Sequence, residues 1–324
     1  MPKLAIITPF LGKVRDRFFE YHEPIGLEEK FALVRGMEGI DGVEVVFPYE
    51  VDSPQRTAEL VRKHGLHIAA VNVNIKGEPE FKSGSLTVES REIRQRAVKF
   101  LKDGKDFAAA VGADRVTCCP LADGYEFAFQ ADYRAAWSRM AECVAEAGAH
   151  RPEITLFIEP KPSETRAACT LSSATKALLM LKDIGNRAIG VTVDFGHSIY
   201  GGNNPAEEID LLAASGFPYY VHINDNDGRW DWDLFCGTRH FLEYAEFLWY
   251  LMRYGYRDYL TSDTSPLRLD IKGVFEANSR VTRRIWRLLE LLDAKGFAKL
   301  VGSSDYLATW RALEEGLFGL KEPA

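Results

Sequence analysis

Residues 189–197 read IGVTVDFGH, a short β-branched run that ends in a carboxylate and is followed by a histidine. Such a run is typical of a β-strand that is buried on both faces. Residues 132–147 show a second pattern, because their apolar side chains fall at steps of three and four and form one face of a helix. These two patterns alternate along the whole chain, and this alternation determines the predicted fold.

Eight strand-like runs alternate with eight amphipathic stretches. The predicted strands are residues 4–10, 43–47, 67–74, 115–119, 154–159, 189–194, 219–224 and 259–263. The predicted helices are residues 27–37, 54–63, 89–111, 132–147, 172–183, 205–214, 241–253 and 270–294. Such alternation predicts a parallel sheet covered by helices, and eight units favour closure into a (β/α)8 TIM barrel. An open doubly wound sheet is the alternative, but it would carry a glycine-rich phosphate loop where residues 11–13 read LGK.

The chain divides into two predicted parts. Residues 1–294 are predicted to form the α/β barrel, and residues 295–324 to form a C-terminal tail with a helix over residues 305–317. We expect this tail to pack under the barrel or to reach a neighbouring subunit of a homo-oligomer.

Composition favours an acidic enzyme over a nucleic-acid or membrane protein. The 324 residues are 46% hydrophobic and carry a net charge of −7, whereas binding to nucleic acid or anionic lipid needs clustered Lys and Arg. No apolar run reaches the roughly 18 residues of a membrane span, and the N-terminus lacks the apolar core of a signal peptide. The five cysteines are an odd number without a CxxC pair, which predicts a reducing, cytoplasmic location.

Polar side chains gather where four successive predicted strands end. Glu159 ends strand five, Asp194 strand six and Asp263 strand eight, while strand seven carries His222 and is followed by further carboxylates, Asp231 and Asp233. The carboxyl ends of barrel strands meet at one mouth, where active sites of this fold lie. Carboxylates that converge there repel one another unless a cation neutralises them. The ligand set of carboxylate oxygen and imidazole predicts Mg²⁺ or Mn²⁺, with Co²⁺ as an alternative.

Several of these residues also have a purely structural interpretation. A single Asp after a strand is commonly a helix cap or a turn former, and we expect that role for Asp225 and Asp227. His222 has the alternative of a hydrogen-bonded core histidine. Asn72 and Asn74 point to the same side of strand three and are expected either to bind substrate hydroxyls or to satisfy the barrel interior. Arg229 and Trp230, which lie near the mouth, are assigned to substrate binding. Packing is the alternative role for Trp230.

Three motifs of the second half resemble those of the xylose isomerase-like barrel family, which includes aldose–ketose isomerases and ketose 3-epimerases. Glu159-Pro-Lys161-Pro162 is similar to the family's strand-five motif, in which the Glu binds metal and the Lys polarises the substrate carbonyl. Asp194-Phe-Gly-His197 is similar to its carboxylate-x-x-His after strand six. Asp231-Trp-Asp233-Leu234 resembles its Asp-x-Asp-Leu segment, and Asp263 matches its strand-eight Asp.

The resemblance implies one or two divalent ions. The first ion would be held by Glu159, Asp194 and Asp263, completed by His222 or Asn224. The second ion, or a metal-bound water, would be held by His197, Asp231 and Asp233. The implied catalytic residues are Glu159, Lys161, His197 and Asp263.

Three departures bear on the expected substrate. Asn224 stands where xylose isomerases carry a metal-binding Asp, and His222 matches the metal-binding His of the 3-epimerase branch instead. The ring-opening His–Asp pair near strand two has no counterpart in residues 47–50, which read FPYE. The resemblance therefore implies a small carbohydrate substrate other than xylose.

The expected activity is that of a divalent-metal-dependent sugar isomerase, which moves a hydride between neighbouring carbons. A ketose 3-epimerase is one alternative, in which Glu159 and Asp263 pass a proton through an enediolate. Another is the large subunit of a metal-dependent C-glycoside-cleaving lyase, which works beside a small partner subunit. A barrel that binds a sugar without catalysis is the non-enzymatic alternative.

Overall fold

The computed structural model describes residues 1–164 and 166–320, and its eight parallel strands close into one barrel. The strands are β1 (Lys3–Ile7), β2 (Gly42–Phe47), β3 (His67–Val73), β4 (Arg115–Cys118), β5 (Thr155–Ile158), β6 (Ile189–Asp194), β7 (Tyr219–Ile223) and β8 (Tyr259–Ser262). Each strand pairs with its neighbours in chain order, and β8 pairs with β1. The predicted (β/α)8 TIM barrel is confirmed.

Helices follow every barrel strand and cover the outside of the sheet. They are α1 (Leu27–Arg35), α2 (Pro54–His64), α3 (Arg91–Val111), α4 (Tyr133–Ala149), α5 (Ala174–Ile184), α6 (Phe195–Tyr200), α7 (Pro205–Ser215), α8 (Phe241–Arg253), α9 (Ile271–Ala294), α10 (Phe297–Val301) and α11 (Tyr306–Gly316). Local chemistry fixes many of their starts, since a side-chain oxygen of the preceding residue accepts a backbone N–H of the first turn. Residues in this capping role are Ser53, Ser90, Asp132, Ser173, Asn204 and Asp270.

The barrel interior has an apolar floor and a polar layer above it. Phe157 and Tyr220 pack in the floor with their ring centroids 5.7 Å apart. Two residues further along the same strands stand Glu159 and His222. Because side chains of a strand alternate with a period of two, each pair points to the same side of its strand. The floor therefore closes the barrel below, and the polar layer faces the mouth at the carboxyl ends of the strands.

Two elements directly after barrel strands differ from the prediction. The first strand ends at Ile7, and Thr8–Leu11 form a 3-10 helix, because Pro9 has no N–H to continue the ladder of hydrogen bonds. The short helix α6 is absent from the predicted helices, and it begins directly at the end of β6. It carries His197 within its first turn, so this histidine has a fixed position on a helix.

The tail packs on the outside of the barrel. Phe297 of α10 lies edge-on to Trp249 of α8, with ring centroids 5.7 Å apart, and Phe318 lies 6.2 Å from Phe241. Residues 321–324 of the predicted tail lie outside the described residues. Among the described residues, no helix has both the length and the apolar character needed to cross a membrane.

Candidate metal centre

Four side chains meet at the mouth of the barrel. Glu159 follows β5, Asp194 ends β6, His222 lies in β7, and Asp263 follows β8. Each offers one ligand atom, and these four atoms all lie within 4.8 Å of one another. Glu159, Asp194 and His222 are buried, whereas the Asp263 side chain is 19% exposed. The cluster is thus enclosed on the barrel side and open toward the mouth through Asp263.

The His222 ring lies between carboxylates on both of its nitrogens. Its Nδ1 is 3.3 Å from Glu159 Oε1 and 3.6 Å from Asp263 Oδ2. Its Nε2 is 3.2 Å from Glu44 Oε2, a residue of β2. The ring therefore presents Nδ1 to the cluster and Nε2 to the opposite wall of the barrel.

Crowding shifts the pKa of each carboxyl group. Burial, with the charges of Glu159 and Asp194, raises the pKa of Asp263 to about 7. Burial also raises the pKa of Asp194. Burial would raise the pKa of Glu159 as well, but His222 and His197 outweigh it and lower that pKa to about 2. Three carboxyl groups thus lie close together in the cluster, beside the imidazoles of His222 and His197.

The residues fit a single divalent cation. Three carboxylate oxygens and one imidazole nitrogen are a donor set of Mg²⁺ or Mn²⁺ sites. Ligands about 2.1 Å from an octahedral ion lie roughly 3 to 4.2 Å from one another, and the four ligand atoms span a comparable distance. Small movements of the side chains would bring all four onto one ion.

His197 lies beside the cluster but uses both nitrogens within the protein. Its Nδ1 is 3.1 Å from the Pro160 carbonyl oxygen, and its Nε2 is 3.2 Å from Asp231 Oδ2. Burial would lower the pKa of this imidazole, but Asp194 and Asp231 outweigh burial and raise it to about 9. In this structure His197 is paired with Asp231, and its predicted role as a ligand of a second ion stays a prediction.

Of the other two residues predicted for a second ion, Asp231 is engaged in ion pairs with Lys161 and His197. Lys161 Nζ lies 2.9 Å from Asp231 Oδ2 and 2.8 Å from Glu164 Oε2. Burial, with the neighbouring Asp231 and Asp263, raises the pKa of Asp233 well above its usual value. Within the described residues, only the cluster around His222 meets the spacing of a metal site. Asp231 Oδ1 is buried and has no hydrogen-bond partner in the described part of the chain, so one oxygen remains for a water or a substrate hydroxyl.

Asn224 lies between Asp194 and the backbone of Gly196. Its Nδ2 lies 3.2 and 3.0 Å from the two carboxylate oxygens of Asp194, and its Oδ1 accepts the Gly196 N–H at 2.7 Å. A Cβ on Gly196 would lie 2.4 Å from Asn224 Oδ1, so only glycine permits this approach. The predicted role of Asn224 as a metal ligand stays a prediction, and in this structure its amide holds Asp194 and the Gly196 backbone.

The predicted substrate-binding residues separate into two groups. Asn72 donates from Nδ2 to Glu44 Oε1 at 3.2 Å, and Asn74 Oδ1 accepts the backbone N–H groups of the two residues at 76 and 77. Trp230 packs on Tyr200 with ring centroids 5.5 Å apart, and Arg229 is exposed. Asn72 and Asn74 thus have structural partners, whereas Trp230 and Arg229 lie in the loop that follows β7.

Asp225 and Asp227 are turn formers, as predicted. Asp225 is buried and accepts four hydrogen bonds within the loop after β7. Asp227 Oδ1 accepts the N–H groups of Arg229, Trp230 and the Trp232 ring. Together they fix the loop that carries Asp231 and Asp233.

Sequence reasoning missed Glu44, which is fully buried in β2. The available signal was a carboxylate inside the apolar run GVEVVF of residues 42–47. A buried acid in such a run needs a hydrogen-bond partner, but the sequence does not say which residue supplies it.

A cavity of about 570 Å³ lies beside Asp233, and none of the four cluster residues lines it. It is lined by Lys13, Arg15, Glu20, Asp233 and Ser265 among others. This volume lies in the range of small-molecule sites. A second cavity, of about 760 Å³, lies on the outer side of the loops around Tyr125 and Trp137 and contains none of the cluster residues.

The structure thus defines a (β/α)8 barrel with a carboxylate–histidine cluster at its strand ends. Comparison with known families gives the next step. A model described as the xylose isomerase-like TIM barrel matches residues 31–284, and the chain belongs to this family.

Known relatives agree with this assignment. The chain is 25% identical over 297 residues to a xylose isomerase of Thermus thermophilus, which covers 87% of this chain and 75% of that protein. An L-ribulose 3-epimerase structure superposes with a TM-score of 0.70 at 20% identity, over 94% of this chain and 99% of that one. The structure of the 3-keto-D-glucoside 4-epimerase of E. coli superposes with a TM-score of 0.63 at 16% identity. The match covers 88% of this chain and 99% of that one. The two structural matches show a shared fold.

Proposed function

We propose that this protein is a divalent-metal-dependent isomerase or epimerase of a small sugar, and that it works by proton transfer. The observation that carries the proposal is the cluster of Glu159, Asp194, His222 and Asp263 at the mouth of the barrel. The isomerase and epimerase names of the related proteins support the same class of substrate. The cavity beside Asp233 offers room for such a molecule.

The number of metal sites favours proton transfer over hydride shift. The hydride mechanism implied by the resemblance uses two ions, but Asp231 is engaged by Lys161 at 2.9 Å and by His197 at 3.2 Å. The ammonium of Lys161 is also paired with Glu164. It is therefore already neutralised by two carboxylates and is less suited to polarise a substrate carbonyl. One ion and two carboxylates are sufficient for enolisation.

A divalent ion held by the cluster would make the hydrogen next to a chelated carbonyl more acidic. Glu159 and Asp263 come from strands three positions apart around the barrel, so they approach a substrate in the mouth from different directions. One carboxylate removes the proton from carbon, and the C–H electron pair forms an enediolate. The other carboxyl returns a proton to carbon, either to the opposite face of the same carbon or to its neighbour. The first outcome is epimerisation and the second is aldose–ketose isomerisation.

Metal content is the first test. Elemental analysis of the purified protein is expected to find one Mn, Mg or Co per chain. Glu159→Gln and Asp194→Asn are expected to lose it, while Asp227→Asn, in a turn outside the cluster, keeps it. Two ions per chain would favour hydride shift, and no ion after loading would refute the proposal.

The fate of the substrate hydrogen is the second test. Unphosphorylated ketoses and aldoses are incubated with the metal-loaded protein in D₂O, and the products are analysed by NMR. Proton transfer predicts deuterium at the reacting carbon. A product formed without deuterium would contradict this mechanism, although the metal assignment would stand.

A further inference from the structure

Glu44 is a carboxylate buried inside the barrel without a Lys or Arg partner among the described residues. Its side chain is fully buried, and its one ion-pair partner in the described chain is His222, at 3.2 Å from Nε2 to Oε2. The other oxygen, Oε1, accepts from Thr117 Oγ1 at 2.6 Å and from Asn72 Nδ2 at 3.2 Å. Three donors from three strands thus surround one acid.

Burial of the Glu44 carboxylate costs folding free energy, and this cost is explained if the side chain serves the site. Placing a carboxylate in an apolar strand requires that its lost hydration be replaced by hydrogen bonds. The apolar floor directly below, with Ala70 and Phe157, shows that the barrel interior also accommodates side chains without charge. Among the described residues, His222 is the one member of the cluster that Glu44 contacts. Its other polar contacts are to Thr117 and Asn72.

We infer that Glu44 is a positioning residue that aims His222 at the metal, an inference that rests on the metal site proposed above. When Nε2–H donates to Glu44, the lone pair of the ring lies on Nδ1, which faces Glu159 and Asp263. The same bond fixes the rotation of the ring. Hydrogen bonds of this kind to the second nitrogen of a metal-binding histidine typically contribute 10- to 100-fold to metal affinity.

Thr117 and Asn72 extend this chain of contacts. Both donate to the same oxygen of Glu44 and so keep the other oxygen directed at His222. Asn72 thereby gains a role in the support of the metal site instead of the contact with substrate that the sequence suggested. Removal of the Thr117 hydroxyl is expected to weaken the metal less than removal of the Glu44 charge.

The test is a titration with Mn²⁺ alone, in which free Mn²⁺ is followed by electron paramagnetic resonance. Glu44→Gln is expected to weaken binding about 10- to 100-fold, and Thr117→Val is expected to weaken it several-fold. The matched control is Asp123→Asn, because Asp123 is an equally buried carboxylate with five hydrogen bonds in loops away from the cluster. Binding by Glu44→Gln within twofold of the wild type would overturn the inference.

A second measurement separates positioning from a general loss of structure. The ¹⁵N shifts of the His222 ring are recorded without metal, because an ion bound to Nδ1 would itself fix the hydrogen on Nε2. The wild type is expected to show hydrogen on Nε2, and Glu44→Gln a mixture of the two ring forms, while unchanged shifts would contradict the inference. If Glu44→Gln does not fold, Thr117→Val carries the same test. If the wild type binds no Mn²⁺, the proposed metal site itself has failed.

Discussion

Asp225→Asn is expected to destabilise the loop that carries Asp231. The carboxylate is fully buried and accepts four hydrogen bonds. Oδ1 accepts Asn226 N–H at 2.8 Å and His240 Nδ1 at 2.9 Å, and Oδ2 accepts Arg239 N–H at 2.8 Å and His240 N–H at 3.1 Å. An amide supplies one oxygen and one NH₂ group, so it cannot accept from all four donors.

The expected cost follows from the best placement of that amide. With its oxygen at the Oδ2 position, both backbone donors of Arg239 and His240 remain satisfied. The NH₂ group can donate to His240 Nδ1 after a change of tautomer, but Asn226 N–H then faces a donor. One buried N–H without an acceptor costs about 1–3 kcal/mol, and the remaining bonds lose their charge assistance. We therefore expect a loss of about 3 kcal/mol in the free energy of unfolding.

Asp227→Asn is the matched control from the same loop. Its three hydrogen bonds all end on Oδ1, which an asparagine retains, and we expect a cost below about 1 kcal/mol. Both variants are measured by equilibrium unfolding in urea, with unchanged slopes as the condition for comparison. Equal losses in the two variants, or a loss below about 1 kcal/mol for Asp225→Asn, would refute this account.

Three further predictions concern the site and one buried lysine. Mn²⁺ at 100 times its dissociation constant is expected to raise the unfolding free energy by about 2.7 kcal/mol, which is measured as a higher Tm. Asp263→Asn should reduce this gain. An unchanged Tm of the wild type would contradict the metal site. Lys161→Met leaves Asp231 paired with His197 alone and is expected to cost about 3 kcal/mol in urea unfolding; wild-type stability would contradict the importance of the pair. Burial lowers the pKa of Lys105 to about 8, so between this value and the ordinary lysine pKa the unfolded chain binds the extra proton. Stability of the wild type relative to Lys105→Met should therefore rise by up to about 3 kcal/mol as pH increases through this window, and a flat or falling difference would contradict the shift.

The barrel could be predicted because its signals are local. The strand β6 is read from the run IGVTV before Asp194, and α4 from apolar residues at steps of three and four between residues 133 and 147. The cluster could be predicted as well, because the carboxyl end of each strand is also the place where active sites of this fold lie. Strand order then brings Glu159 and Asp263 together without further information.

The support of the site could not be predicted, because it depends on contacts that are distant in sequence. Glu44 and His222 are 178 residues apart, and Glu44 and Thr117 are 73 apart. The hydrogen bonds of Asn224 to Asp194 and to the Gly196 N–H are likewise visible only in the structure. The ion pair of Lys161 with Asp231 also joins two motifs that are distant in sequence, and neither motif predicts it.

Differences in support among the four ligands bear on which of them exchanges protons with substrate. Asp194 is fixed by the Asn224 amide and by His197 N–H at 2.8 Å, and His222 is fixed by Glu44. Asp263 contacts only His222 among the described side chains, at 3.6 Å, and is the most exposed of the four. A group that exchanges a proton with substrate needs to be within hydrogen-bond reach of it, whereas a group that fixes the ion needs support from the protein. The geometry therefore favours Asp194 and His222 as the fixed ligands and Asp263 as the carboxyl group that reaches the substrate.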